Sequence, residues 1–408
     1  MTNQHIENGL DVLKHEFGDQ RVKQAIEAIK AFRVEIPSWI FGDFGGGRFA
    51  GYMPPGFARS IYEKLDDAAI VHQLTGATDC VAVHVLWDLT EDGQTASMRT
   101  ASDVHAYAHE KGLRMGSISP TYFLSGSYRN SLAATETDTV DRYIEQTIAA
   151  GQIANEFGTK LLTIWLPDGS LYPGQIELGK THTILKKALH RIHQHIDPAV
   201  MMLIEYKVFE PGTYSTIIPD WGTAYLLAKE LGNNAGVLVD LGHHFHSTNI
   251  EQIVARLISE NMYCGFHFNT RYAADDDHSV EPNPEMARIF YELVAGDVVV
   301  NSDPQKNWAY MIDQCSGREN RIHAMLHSVD SLQHMLARAM LVDRERLVEL
   351  QAADEIILAN RLFNSALVYA DVRSIVARAR QELNLPMDPL QAYLDSGHQQ
   401  KIIRERKV

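Results

Sequence analysis

The chain has 408 residues, 45% of them hydrophobic, and a formal net charge of −15 at pH 7. This length allows two or three domains, but a single α/β barrel with extensions also reaches it. The acidic balance and the absence of a dense basic cluster argue against binding of nucleic acid or other polyanions. The basic stretch at 404–407 is predicted to be solvated. No run resembles a signal peptide or a membrane span, so we expect a cytoplasmic protein without membrane contact.

Strand-like and helix-like segments alternate about eight times along the chain. Short apolar runs flanked by helical patterns predict buried parallel strands. The candidate strands, in chain order, are residues 32–39, 80–87, 114–123, 160–166, 201–207, 236–242, 264–270 and 308–313. Amphipathic helical patterns lie between them, for example at 55–74, 139–158 and 283–296. Eight successive βα units predict a TIM barrel, and a doubly wound open sheet is the alternative.

Two segments fall outside the predicted barrel. Residues 1–30 have a helical pattern, residues 31–344 would form the (β/α)8 barrel, and residues 345–408 would form a C-terminal helical extension. The extension is too apolar to be free in solution. We therefore expect it to pack across the barrel or against a neighbouring subunit.

Potential metal ligands occur near the ends of the last four predicted strands. They are Glu205, Asp240, His243, His267, Asp275, Asp277 and Asp313. The carboxyl ends of parallel strands meet at one mouth of a barrel, and converging carboxylates and imidazoles need a cation or a hydrogen-bond network. Oxygen and nitrogen donors without sulfur suit Mn, Mg, Co or Zn. Two ions sharing one bridging carboxylate would use all of these ligands. His243 is followed by His244 and His246, so which imidazole binds stays open.

Four segments, IEYK, VDLGHH, GFHFNTRYAADDD and MIDQC, closely resemble L-rhamnose isomerase, in the bacterial subgroup with broad aldose specificity. They also resemble, more distantly, the two-metal site of xylose isomerases. The resemblance extends over most of the chain. It implies a TIM-barrel homotetramer that prefers Mn and interconverts an aldose with its 2-ketose. It also implies two metal sites, the first with Glu205, Asp240, His267 and Asp313, and the second with Asp240 as bridge, His243, Asp275 and Asp277.

The same resemblance implies roles for residues around the sugar. Lys207 would hold O1 of the substrate, and His84 would lie near the ring oxygen or O5. Trp39 and Trp165 would form aromatic walls, and Phe49, after a triple glycine, would reach into a neighbouring subunit's site. The residues expected to act in catalysis are Lys207, His84, His243, Asp275 and Asp313.

Moving a hydrogen between C2 and C1 of an open-chain sugar requires that both oxygens be polarised. A pair of divalent cations does this, and Lys207 adds positive charge beside the developing alkoxide. The sequence offers no carboxylate that is clearly free of metal to act as a carbon base, which favours a metal-assisted hydride shift. An enediol route, in which a liganding carboxylate such as Glu205 or Asp313 swings to serve as base, is the alternative. A one-metal epimerase or lyase acting on a keto sugar, or a sugar-binding barrel without turnover, are the alternatives. The sequence does not distinguish L-rhamnose from a similar aldose such as D-allose.

Overall fold

The computed structural model describes residues 1–42, 54–210, 213–272, 278–315 and 319–406. Within these ranges, one sheet of eight parallel strands forms the centre of the molecule. The strands are β1 (Ile36–Pro37), β2 (Cys80–His84), β3 (Arg114–Ser119), β4 (Leu161–Ile164), β5 (Met201–Glu205), β6 (Ala235–Asp240), β7 (Cys264–Phe268) and β8 (Ala309–Ile312). Each predicted strand therefore corresponds to an observed one.

Each strand pairs with the next strand along the chain. The first and last strands also meet, because Glu35, directly before β1, forms a parallel bridge with Met311 of β8. The amide of Glu35 donates to the Tyr310 carbonyl oxygen at 2.8 Å, and the amide of Ile312 donates to the Glu35 carbonyl oxygen at 2.9 Å. These bonds close the sheet, so the prediction of a TIM barrel is confirmed and the open-sheet alternative is wrong.

The helices surround the barrel and cover its strands. They are α1 (Asn3–Phe17), α2 (Asp19–Ala31), α3 (Ile61–Thr75), α4 (Val85–Asp88), α5 (Met98–Glu110), α6 (Thr137–Glu156), α7 (Leu178–His195), α8 (Trp221–Leu231), α9 (Ile250–Ser259), α10 (Pro284–Ala295), α11 (Arg321–Met340), α12 (Arg344–Ala352), α13 (Ile356–Asn364), α14 (Arg373–Glu382), α15 (Pro389–Asp395) and α16 (His398–Glu405). Because helices cover the outer face, a strand such as β6 is buried along its whole length. This burial explains its continuous apolar sequence.

All eight strands end earlier than the sequence predicts, and the first three show why. β1 is followed at once by a 3-10 helix, Ser38–Phe41. β2 ends at His84, because the His84 side chain accepts a hydrogen bond from the Leu86 amide and starts the short helix α4. β3 ends directly before Pro120, which has no amide hydrogen to extend a strand ladder. These early ends place polar and aromatic side chains at the carboxyl mouth of the barrel.

The two ends of the chain pack together on the outside of the barrel. α1 and α2 pack against α14, and the Lys30 ammonium group lies 2.9 Å from the Glu382 carboxylate. The expectation that the 404–407 stretch is solvated is wrong for Arg406, which is buried and holds the Asp67 carboxylate of α3 at 2.7 Å. The domain boundaries at 30 and 344 remain predictions. Among the described residues, no helix is long and apolar enough to cross a membrane.

Candidate active site

A cavity of about 400 Å³ opens at the carboxyl ends of the barrel strands. This volume lies within the range of small-molecule binding sites. One side of the cavity is aromatic, and the other carries charged groups. Its lining includes Trp39, His84, Trp87, Phe123, Trp165, Glu205, Lys207, Glu210, His243, His267 and Asp313. The described residues that were predicted to bind the sugar or the metals therefore line this one cavity. The exception is Asp240, which is fully buried and is not part of the lining.

The cluster of predicted ligands is centred on His267 in β7. Its Nδ1 lies 3.3 Å from a Glu205 oxygen, 3.4 Å from an Asp240 oxygen and 3.2 Å from an Asp313 oxygen. Strand register explains part of this convergence, because Asp240 and His267 are paired residues of neighbouring strands. Among the described residues, two groups of side chains have donor atoms close enough to hold a metal ion, and Asp240 belongs to both. The groups are Glu205, Asp240 and His243, and Asp240, His267 and Asp313.

Several donor atoms in this cluster are buried and have no hydrogen-bond partner within the described part of the chain. They are Oδ2 of Asp240 and both ring nitrogens of His267. Burying such atoms costs free energy unless a hydrogen bond or a cation compensates. The other Asp240 oxygen accepts from Gly242 N at 2.7 Å and Asn269 Nδ2 at 3.0 Å, which orients the carboxylate. The residues present therefore fit a divalent cation.

The charges of the cluster shift the pKa values of its members. Burial opposes ionisation of Asp240, but His243 and His267 hold its pKa well below the usual range. Burial likewise disfavours a charged His267 ring, yet the surrounding Glu205, Asp240 and Asp313 raise its pKa well above the ordinary value. The surrounding carboxylates therefore favour positive charge at this position, which a divalent cation would supply.

The structure distinguishes among the three neighbouring histidines. His243 is buried beside the cluster, with its Nδ1 at 3.0 Å from the Tyr206 carbonyl oxygen. The same Nδ1 lies 3.3 Å from a Glu205 oxygen of the cluster. His244 is buried but bonded, with its Nε2 at 2.7 Å from the Tyr206 hydroxyl group. His246 is exposed. His243 is therefore the imidazole of this segment that joins the cluster.

Trp39 contacts both a predicted metal ligand and an aromatic ring of the cavity. Its indole Nε1–H donates to Oδ1 of Asp313 at 3.0 Å. This bond joins the end of β1 to the end of β8, across the seam where the barrel closes. The ring of Trp39 also packs edge-on against His84, with ring centroids 6.4 Å apart. Trp39 thus contributes a wall and also orients a carboxylate.

Lys207 and Trp165 lie close together in the lining of the cavity. Lys207 is buried, and its ammonium group lies 5.2 Å from the centre of the Trp165 ring, within cation–π distance. The same ammonium group lies 2.5 Å from the Glu210 carboxylate, and both residues line the cavity. Lys207 is therefore not a solvated surface lysine.

Sequence reasoning missed several residues of the cavity, among them Trp87, Phe123 and Glu210. Glu210 could have been suspected from the sequence, because it lies three residues after Lys207, a spacing at which opposite charges can pair. Trp87 and Phe123 stack around His84, with ring centroids 4.1 Å and 5.5 Å from it. Both lie in segments predicted as strand, where an aromatic residue is expected in the core, so the pattern gave no reason to single them out.

Three predicted site residues, Phe49, Asp275 and Asp277, lie outside the described residues. Their predicted roles, in a neighbouring subunit's site and at the second metal, remain predictions.

Comparisons with known proteins agree with this site. The family described as L-rhamnose isomerase (RhaA) matches residues 12–368. A probable sugar isomerase of Mesorhizobium japonicum is 34% identical over 397 residues, which cover 94% of this chain and 89% of that protein. A probable sugar isomerase of Rhizobium meliloti is 34% identical over 401 residues, covering 95% of this chain and 91% of that protein.

Solved structures share the fold at much lower identity. An L-ribulose 3-epimerase superposes with a TM-score of 0.53 at 13% identity, covering 78% of this chain and 97% of that one. A D-allulose 3-epimerase from Methylomonas gives 0.52 at 12% identity, covering 75% and 98%. At such identities the likeness concerns the fold alone. The family match and the full-length relatives go further, and they show that this chain is a sugar isomerase belonging to the L-rhamnose isomerase family.

Proposed function

We propose that the protein interconverts L-rhamnose, or a similar aldose such as D-allose, with the corresponding 2-ketose. The observation that carries this proposal is the position of Lys207, which faces the same cavity as the carboxylate–histidine cluster. A cation-binding cluster and a buried ammonium group that line the same cavity can together polarise the neighbouring oxygens at C1 and C2 of an open-chain sugar.

We propose two divalent ions per chain, with Mn preferred and Co, Mg or Zn as substitutes. The first would be held by Glu205, Asp240, His267 and Asp313. The second would be held by Asp240 as bridge together with His243, Asp275 and Asp277. The presence of Asp240 in both groups of neighbouring donors supports its role as bridge. When bound, such ions would act as Lewis acids toward the two sugar oxygens.

The chain's own residues would orient the sugar and stabilise charge. Lys207 would donate to O1, where negative charge develops during the reaction. Trp39, Trp87, Phe123 and Trp165 would pack against the apolar faces of the sugar and exclude water. His84 would contact the ring oxygen or O5.

The migrating hydrogen can pass between C2 and C1 in two ways. We favour a hydride shift, in which it moves directly from carbon to carbon. In the competing enediol route a base removes it as a proton and returns it to C1. Among the described residues that line the cavity, Glu210 is the carboxylate that lies outside the ligand cluster. A base for the enediol route would therefore be Glu210, or a carboxylate of the cluster such as Glu205 or Asp313.

The experiment that tests the proposed function is a colorimetric ketose assay. The purified protein, supplied with Mn, is incubated with a panel of aldoses that includes L-rhamnose and D-allose. We expect ketose formation from at least one of them. A one-metal epimerase would instead change the configuration of a ketose and bind close to one ion per chain, and a binding barrel would form no product.

We also propose that the protein assembles as a homotetramer. The C-terminal helices expose several large apolar side chains, among them Ile356 at 67%, Ile357 at 71% and Tyr369 at 77%. Closed symmetric assembly is the usual way to cover such surface. Sedimentation velocity at assay concentration measures the assembly, and a fully active monomer would contradict it.

A further inference from the structure

His84 lies at the carboxyl end of β2, where it is buried and lines the cavity. The family resemblance implies only that His84 lies near the ring oxygen or O5 of the sugar. The structure carries more information, because the hydrogen bonds to an imidazole ring decide which nitrogen holds the proton. That choice determines whether His84 can take a proton from the sugar or only donate a hydrogen bond to it.

The Nδ1 atom of His84 faces a backbone donor. The Leu86 amide N–H points at it from 3.3 Å, within the first turn of α4. An amide nitrogen has a hydrogen to donate and no lone pair to accept, so Nδ1 must be the acceptor. The Thr121 hydroxyl group lies 3.4 Å from the same Nδ1. That hydroxyl also accepts from the Leu86 amide at 3.1 Å, which leaves its own hydrogen available to Nδ1.

The nearest carboxylate does not bond to the His84 ring. Asp88 instead accepts from the His84 backbone amide at 2.9 Å, and its other oxygen is paired with the Lys64 ammonium group at 2.8 Å. The ring itself is enclosed by aromatic groups, with the Trp87 ring centroid 4.1 Å away. Burial in these surroundings lowers the pKa of His84 to about 3; Asp88 opposes this shift and Lys64 adds to it.

We propose that His84 meets the sugar as a neutral imidazole with its proton on Nε2, and that it acts as a hydrogen-bond donor and never as a base. Among the described residues, every hydrogen bond to the ring is made at Nδ1. Nε2 is therefore the nitrogen left for a ligand in the cavity, and it presents a hydrogen there instead of a lone pair.

This assignment constrains how the cyclic sugar opens, and in that respect it rests on the proposed function. Opening breaks the C1–O5 bond, forms the C1–O1 double bond and moves a proton from the O1 hydroxyl group to O5. His84 can hold O5 by donating to it, but it has no free lone pair on the cavity side to receive the O1 proton. That proton must pass to water or to another group in the cavity. His84 is thus a positioning residue that selects a substrate with an acceptor oxygen at this place.

The first test reads the tautomer directly. Solid-state NMR of protein labelled with 15N-histidine is recorded at pH 7 for the wild type and for His84→Gln, and the difference isolates the His84 signals among the 19 histidines. We expect a protonated Nε2 and an unprotonated, hydrogen-bonded Nδ1. Thr121→Val should leave this pattern unchanged, because the Leu86 amide remains. A protonated Nδ1, in either the neutral or the charged ring, would overturn the proposal.

The second test uses three substitutions that separate donation from proton transfer. The amide nitrogen of His84→Gln can reach the place of Nε2 and donate there, but it cannot accept a proton at neutral pH. The side chain of His84→Asn is shorter, so its amide group reaches only the place of Nδ1. The His84→Ala variant has no hydrogen-bonding group at either place. We expect kcat/KM of the Gln variant to stay within about tenfold of wild type, and the Asn and Ala variants to lose about a hundredfold or more, as for removal of one positioned donor. Equal losses in all three, with unchanged melting temperatures, would contradict a donor role.

The two tests fail independently of the proposed function. If the wild-type protein converts no aldose, the proposed function fails, while the NMR measurement still decides the tautomer of His84.

Discussion

The Lys207 ammonium group and the Glu210 carboxylate lie 2.5 Å apart at the wall of the cavity that the cluster around His267 also lines. Both residues belong to the segment that follows β5, so the strand that ends in the ligand Glu205 also delivers an ion pair to the site. The pair gives the buried ammonium group of Lys207 a counter-charge. It also puts a carboxylate outside the ligand cluster within the cavity.

Lys207→Met should reduce kcat by about a hundredfold to a thousandfold, which is the usual cost of losing one preorganised group that stabilises charge in the transition state. Steady-state kinetics with added Mn measure this loss. Glu210→Gln is the matched control, because it keeps Lys207 in place and removes its partner. We expect the control to lose about tenfold or less. A near-normal turnover of Lys207→Met would show that Lys207 has no part in the reaction.

Removal of divalent cations with EDTA should abolish ketose formation, and Mn or Co should restore it. The metal-free protein should also melt at a lower temperature, because an ion bound only by the folded state stabilises it by mass action. Differential scanning calorimetry with and without Mn measures this second effect independently of activity. Full activity after exhaustive chelation, with no residual metal by elemental analysis, would contradict a metal-dependent reaction.

Asp240→Asn should weaken both proposed metal sites, because the Asp240 carboxylate belongs to both groups of donors. Asp277→Asn should mainly weaken the second site. Isothermal titration calorimetry with Mn distinguishes the two variants by the number of ions bound. If both variants lose the same number of sites, the bridging role of Asp240 is wrong.

In heavy water, a hydride shift should give a product with little deuterium at C1, since the migrating hydrogen never meets solvent. An enediol route should introduce deuterium there. NMR of the product after a single turnover measures the incorporation. Substantial deuterium at C1 would contradict the hydride shift. If the Glu210→Gln variant then no longer introduced this deuterium, Glu210 would be identified as the base.

Asp67 should make the stability of the fold depend on pH. Burial raises the pKa of this carboxyl group to about 6 against the pull of Arg406, from an ordinary value of 3.8. The folded state therefore holds a proton that the unfolded state has already lost. This contribution to stability is complete below about pH 4 and disappears as the pH rises through 6. Relative to Asp67→Asn, the wild type should lose roughly 2 to 3 kcal/mol over that interval.

Urea unfolding of both proteins between pH 4 and 7 measures this difference. Arg406→Met serves as the control, because it leaves the Asp67 carboxylate buried without its partner. It should destabilise the protein more at pH 7 than at pH 4.5. A constant difference between wild type and Asp67→Asn across the interval would mean that Asp67 does not titrate there.

The amino-acid sequence by itself determined the order and type of the barrel elements. Continuous apolar runs specify strands that helices cover on the outside, and the residue that ends such a run lies at the mouth of the barrel. For this reason Glu205, Asp240, His267 and Asp313 could be grouped from their positions alone. The four segments that resemble L-rhamnose isomerases narrowed the chemistry further, because they contain those ligands together with their neighbours.

Only the tertiary structure decided contacts between residues far apart in the chain. Trp39 and Asp313 meet because the bridge from Glu35 to Met311 closes the barrel, and periodicity carries no information about closure. The burial of Arg406 depends in the same way on the docking of α16 against α3, which a basic composition does not predict. The acceptor state of His84 Nδ1 required the exact end of β2, since one further strand residue would turn the Leu86 amide away. Local pattern specifies elements, whereas the partners of polar side chains follow from packing and strand register.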